Sequence, residues 1–128
     1  QPNITNDIMC DFTNNIVWQW KNFGSCVDYG ATLQARNNFY QSTVNPGNAI
    51  VKNRESSGAK VYSAGNISGN AGVNPNNVTN VTNAWVVAPV TMQAACIAAA
   101  SVKATVGARP LDAIDQGLIN AVSLPNCQ

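Results

Sequence analysis

Apolar residues recur at three- and four-residue steps between positions 5 and 23: Ile8, Met9, Phe12, Ile16, Trp20 and Phe23. That spacing predicts an amphipathic helix, with Thr5, Asn6 or Asp7 at its start and Gly24 at a left-handed C-cap. A strand pattern competes within it, because Ile16, Trp18 and Trp20 alternate with Val17, Gln19 and Lys21. Over 27–39 the alternation is nearly unbroken. Val27, Tyr29, Ala31, Leu33, Ala35 and Phe39 fall on one side, and polar residues or glycine on the other. This predicts a half-buried strand, although 31–38 also holds good helix formers.

Asn45-Pro46-Gly47-Asn48 is a turn, since Pro presets one dihedral and Gly supplies a positive φ. Residues 49–52 and 59–63 read as two short strands joined in a hairpin by Ser56-Ser57-Gly58. Residues 64–83 are dense in Gly and Asn and read as an exposed loop. Inside it, Asn77-Val78-Thr79 repeats at once as Asn80-Val81-Thr82, too short a repeat to mark a solenoid. Trp85–Val90 reads as a strand ending around Pro89. Over 91–106, Met92, Ala94, Cys96, Ala98, Ala100, Val102, Ala104 and Val106 share one face of a strand flanked by β-branched residues. The alanines equally satisfy a helical stripe. Arg109-Pro110-Leu111-Asp112 has the form of a helix start, and Leu111, Ile114, Leu118 and Val122 continue a stripe toward Pro125.

The elements sum to a single domain over 1–128 of α+β class. The expected architecture is an antiparallel sheet of about five strands with a helix near each terminus and two disulfides. A mainly β sandwich is the alternative.

Charge narrows the partners. Seven Lys+Arg stand against six Asp+Glu, and only 10% of residues are charged. Nucleic acid needs a basic face to release counterions, and basic residues scattered from Lys21 to Arg109 provide none. No apolar run approaches the roughly 20 residues of a membrane span. The chain instead carries nineteen Asn, sixteen Ser+Thr and seventeen Ala. A first residue Gln1 in place of Met reads as a processed, mature form. Cys10, Cys26, Cys96 and Cys127 form an even set in a short chain, which suggests disulfides and an oxidising compartment. The pairing Cys10–Cys26 with Cys96–Cys127 is favoured, because short separations make closure entropically cheap. Each bridge would contribute roughly 3 kcal/mol.

Catalytic equipment is sparse. With no His in the sequence, Ser–His and Cys–His arrangements are excluded within the chain. Ser101 and Lys103 sit two apart, a spacing common by chance. Asp7 with Asp11, and Asp112 with Asp115, read as acids near helix starts rather than as a glycosidase pair. Gly65 to Gly72 lacks the Lys-Ser/Thr ending of a phosphate loop. The wide cysteine spacing without His does not suit zinc, and no other metal or cofactor is implied. Trp18 and Trp20, with Trp85, are the candidate ligand-binding residues, because two indoles on one strand face make a platform for sugar rings. Asn3, Asn66, Asn77 and Asn80 head glycosylation sequons.

These features predict a secreted, extracellular or periplasmic protein that acts through surface contacts rather than turnover. A structural or adhesive protein, or a filament subunit, fits a weakly charged surface. The expected layout of helix, sheet and late cysteine loop is pilin-like in arrangement only. The expected partners are other copies of the chain or another extracellular protein. The alternatives are a carbohydrate-binding or effector-like protein using exposed Trp, and a small carboxylate-dependent enzyme.

Overall fold

The computed structural model describes residues 3–4, 8–52, 58–69, 71–76, 78–107 and 109–124. Three short strands open the chain: β1 (Asn3–Ile4), β2 (Met9–Thr13) and β3 (Ile16–Trp18). The next stretch repeats them as β4 (Ser25–Val27), β5 (Thr32–Arg36) and β6 (Phe39–Gln41). A third stretch gives β7 (Ile50–Lys52), β8 (Lys60–Ala64) and β9 (Ile67–Ser68). Each strand lies parallel beside its counterpart one repeat later: β1–β4–β7, β2–β5–β8 and β3–β6–β9. The backbone therefore winds as a three-sided parallel β-solenoid, in which each coil places one strand on each face.

The first coil-to-coil step is 23 residues on every face, as in Met9 opposite Thr32 and Ile16 opposite Phe39. The second is 25 residues on the first face and 28 on the other two. A fourth coil is partial. Strand β10 (Ala71–Gly72) turns back antiparallel on β9, Asn76 bridges Val51, and β11 (Thr79–Asn80) lies parallel on β8.

The corner between the second and third faces explains why the strands break where they do. Asn14, Asn37 and Gly65 occupy it in successive coils with φ of 58°, 51° and 65°. Asn and Gly are the residues that enter this left-handed region most readily. Inside the coils, Leu33, Ala35, Tyr40, Ile50 and Val61 make a closed core, and Cys10, Phe12 and Val17 pack on it from the first coil. The Trp20 ring meets Tyr40 edge-on at 6.1 Å, and the Tyr40 hydroxyl bonds Ser25 Oγ at 2.9 Å.

Two helices close the chain. Helix α1 (Ala95–Thr105) packs against β6 and buries Ala95, Ala98 and Ala99, small side chains that allow close approach. Helix α2 (Ala113–Ala121) is capped by Asp112, whose carboxylate accepts the Asp115 N–H at 2.8 Å.

The expected antiparallel sheet is overturned, as is the sandwich: the architecture is α/β-like with mostly parallel sheets. The helix over 5–23 is replaced by β2 and β3. Phe12 and Ile16 fall four apart because a corner intervenes at Asn14 and Asn15, and Ile8 and Met9, read as part of the stripe, are exposed. The strand over 91–106 is replaced by α1, where alanine's helix propensity prevails. The segments read as a hairpin are strands, but β7 and β8 belong to different faces and do not pair. The region read as an exposed loop contributes β9, β10 and β11 and the buried Asn66. Residues 85–90 form no strand. The single strand read over 27–39 is broken into the end of β4, β5 and the start of β6, and Tyr29, read as facing the core, is exposed at a left-handed turn. Leu33 and Ala35 are buried as the alternation placed them, and α2 lies where the late stripe placed a helix.

The two-disulfide framework is also overturned. Cys10 on β2 and Cys26 on β4 remain thiols, because those strands sit on different faces of the coil. Cys96, in the first turn of α1, is disulfide-bonded, and Cys127 lies outside the described residues.

Candidate functional site

Immediately after the left-handed corner, one Asn per coil points inward and the three stack. Asn38 Oδ1 accepts the backbone N–H of Asn15 at 2.9 Å and its Nδ2 at 3.1 Å. Asn66 Oδ1 accepts the same two groups from Asn38, at 3.0 and 2.9 Å. The remaining Nδ2 protons go down the row to main-chain carbonyls, Asn38 to Phe12 at 2.7 Å and Asn66 to Ala35 at 2.8 Å. At the far end Asn66 Nδ2 is finished off by Ser63 Oγ at 3.0 Å. At the near end Asn15 Nδ2 turns to its own strand and bonds Thr13 O at 3.0 Å, and no donor among the described residues reaches Asn15 Oδ1.

The first coil is thus an unfinished rung. Strands β2 and β3 are the edge strands of their sheets. The second coil bonds Ile8 O, Asn14 N and Asn15 O, so ladder alternation turns the main-chain groups of Asp11 and Thr13 the other way. A shallow cavity of about 520 Å³ opens at this end, with Phe12, Asn15, Val17, Trp20 and Lys21 in its wall. At the opposite end the third face is turned back by β10, while the second face ends in the exposed strand β11.

The outer side of the second face carries the one ion pair among the described residues. Arg36 Nη2 lies 2.7 Å from Asp11 Oδ2, and Asp11 Oδ1 accepts from Arg36 Nε, Gln34 Nε2 and Thr13 Oγ1, each at 3.1 Å. Burial pushes the Asp11 carboxyl up, but these hydrogen bonds and the Arg36 charge outweigh it and hold the group below its ordinary value. Gln34 is fully buried, and its Oε1 accepts the Trp85 N–H at 3.1 Å. With every acid oxygen engaged by donors, the cluster reads as a structural lock, not a proton-transfer site.

A second cavity, of about 320 Å³, lies between the outer side of the third face and the two helices. Ile16 and Trp18 form its floor, and Val102, Val106, Leu118 and Ile119 are among its walls. Lys103 is its one charged lining residue, and its Nζ donates to the Val122 carbonyl.

The structure does not gather the three candidate tryptophans on one surface. Trp20 is 3% exposed, with its Nε1 donating to Asn45 O at 2.7 Å. Trp18 is half-buried in the wall of both cavities, and Trp85 is half-buried beside Gln34. Of the sequon residues, Asn66 is 3% exposed with its Nδ2 committed to the ladder. Asn80 is exposed on β11. Asn77 lies outside the described residues, and Asn3 is described only as part of β1. The pairs Asp112 and Asp115 serve the α2 cap, while Asp7 lies outside the described residues. No group of three His, Cys, Asp or Glu among the described residues could hold a metal ion, and none of the described helices is long and apolar enough to cross a membrane.

Sequence reasoning missed the ladder and Lys103. The signal for the ladder is present: Asn14-Asn15, Asn37-Asn38 and Gly65-Asn66 each precede an apolar strand residue, Ile16, Phe39 or Ile67. Comparison with protein-family models, curated proteins and solved structures finds no match.

Proposed function

We propose that the chain is a non-catalytic contact protein of an extracellular or periplasmic surface, a structural or adhesive subunit that assembles with copies of itself. The observation that supports this reading is the second face, β11–β8–β5–β2. All its strands run the same way, and among the described residues no strand pairs with the outer side of β2 or of β11. The β11 edge of one copy can therefore pair with the β2 edge of the next without reversing direction. A head-to-tail contact of this kind does not close on itself and builds filaments. The weakly charged surface opposes such stacking little.

Electron microscopy and sedimentation over a range of concentrations test the reading. Concentration-dependent fibres or oligomers are expected. They should disappear in Asn80→Pro, which removes a main-chain donor on the open side of β11 while Val81 N keeps its bond to Val61 O. A strict monomer at every concentration, or fibres unaffected by that substitution, overturns it.

A further inference from the structure

The cavity between the helices and the third face plays no part in edge-to-edge assembly. We propose that it is a binding site for an aliphatic carboxylate, with the chain in the cavity and the head group on Lys103. Its walls come from three separate elements, β3, α1 and α2, and all but one of its lining residues are apolar. Its volume, about 320 Å³, is at the small end of ligand sites. At interior packing density it holds a chain of roughly ten carbons. Aromatic Trp18 on the floor and branched Val102 and Leu118 on the walls suit an alkyl chain and offer nothing to a sugar's hydroxyls.

Lys103 sets the class of head group. It lies in the last turn of α1, half-buried at the wall. Its ammonium has three donors, one of which goes to the Val122 carbonyl. No described carboxylate pairs with it, since the one ion pair is Arg36 with Asp11. Two N–H groups and a full positive charge beside an apolar chamber match a monoanion with an apolar tail. An alcohol or alkane of the same length would fill the chamber but leave that charge uncompensated.

The test is calorimetric titration of the full chain with decanoate and with decanol, both below the concentration at which they aggregate. One saturable site is expected for decanoate, with decanol at least tenfold weaker. Lys103→Met should lose the preference for the acid while keeping decanol binding. Val102→Trp should fill the chamber and abolish both. If that variant fails to fold by circular dichroism, Leu118→Trp, at a more exposed wall position, takes its place. Absence of saturable decanoate binding overturns the site, as does binding that survives a folded chamber-filling variant. Equal affinity for decanol, or a Lys103→Met variant that still prefers the acid, overturns the assigned head group.

Discussion

Asn38 Oδ1 accepts two donors from Asn15, the main-chain N–H at 2.9 Å and the side-chain Nδ2 at 3.1 Å, so one coil's corner is bolted to the next. Asn38 is fully buried and engages coils on both sides, whereas Asn15 engages one. Asn38→Ala should cost about 3 kcal/mol, because it strands buried partners above and below. Asn15→Ala should cost only about 1 kcal/mol. Urea denaturation measures both. Equal losses would show that the ladder is not read from its middle.

Gly24 precedes β4 where the chain passes close to its neighbour. A Cβ there would stand 2.6 Å from the Ala49 carbonyl oxygen and 3.0 Å from the Tyr40 ring. The carbonyl is main chain and cannot swing away, since Ser25 N donates to it at 2.7 Å. Gly24→Ala is expected to lower stability by about 2 kcal/mol, with a loss of near-ultraviolet signal from Tyr40.

Asp11 gives the fold a defined response to acid. Its folded-state pKa is lowered, so its stabilisation is complete above the unfolded value of about 3.9 and is lost as pH falls through the folded value. Arg36→Met removes two of the four donors that hold the carboxylate down, together with the neighbouring positive charge. The difference in unfolding free energy between the two proteins should be full at neutral pH and shrink below about pH 4. A gap that is constant down to strong acid would assign the Arg36 contribution to packing.

The thiols at Cys10 and Cys26 can be counted. Both should alkylate in denaturant without reductant. In the native protein Cys26, fully buried, should stay protected, and Cys10 should react slowly. Burial and the neighbouring Asp11 charge push the Cys10 thiol up, which lowers its thiolate fraction. Mass mapping of the alkylated peptides reads the result. Protection of both in denaturant would mean a cross-link between them.

The sequence shows the solenoid once the corners are aligned, and hides it otherwise. Thr13-Asn14-Asn15-Ile16, Arg36-Asn37-Asn38-Phe39 and Ala64-Gly65-Asn66-Ile67 are one motif, but the steps between them are 23 and then 28 residues. A fixed period is what betrays a repeat, and this one is uneven. Strands of two to five residues are also too short for alternation to outvote a helical count. Alternation did locate Leu33 and Ala35 in the core. It failed at Ala94 to Ala104, where alanine fits either period and propensity decides. The second cavity was not legible at all. Ile16 and Val102 are 86 positions apart and meet only because α1 folds back over the first two coils.

Gln93 joins that returning segment to the coils. Its carbonyl accepts from both Asn14 Nδ2 and Asn37 Nδ2 at 2.8 Å, and its N–H donates to Asn14 Oδ1 at 2.9 Å. Asn14 and Asn37 are the left-handed corner residues of successive coils, so one residue fastens the segment leading into α1 to two coils at once, ahead of the contact that Ala95, Ala98 and Ala99 make with the coils.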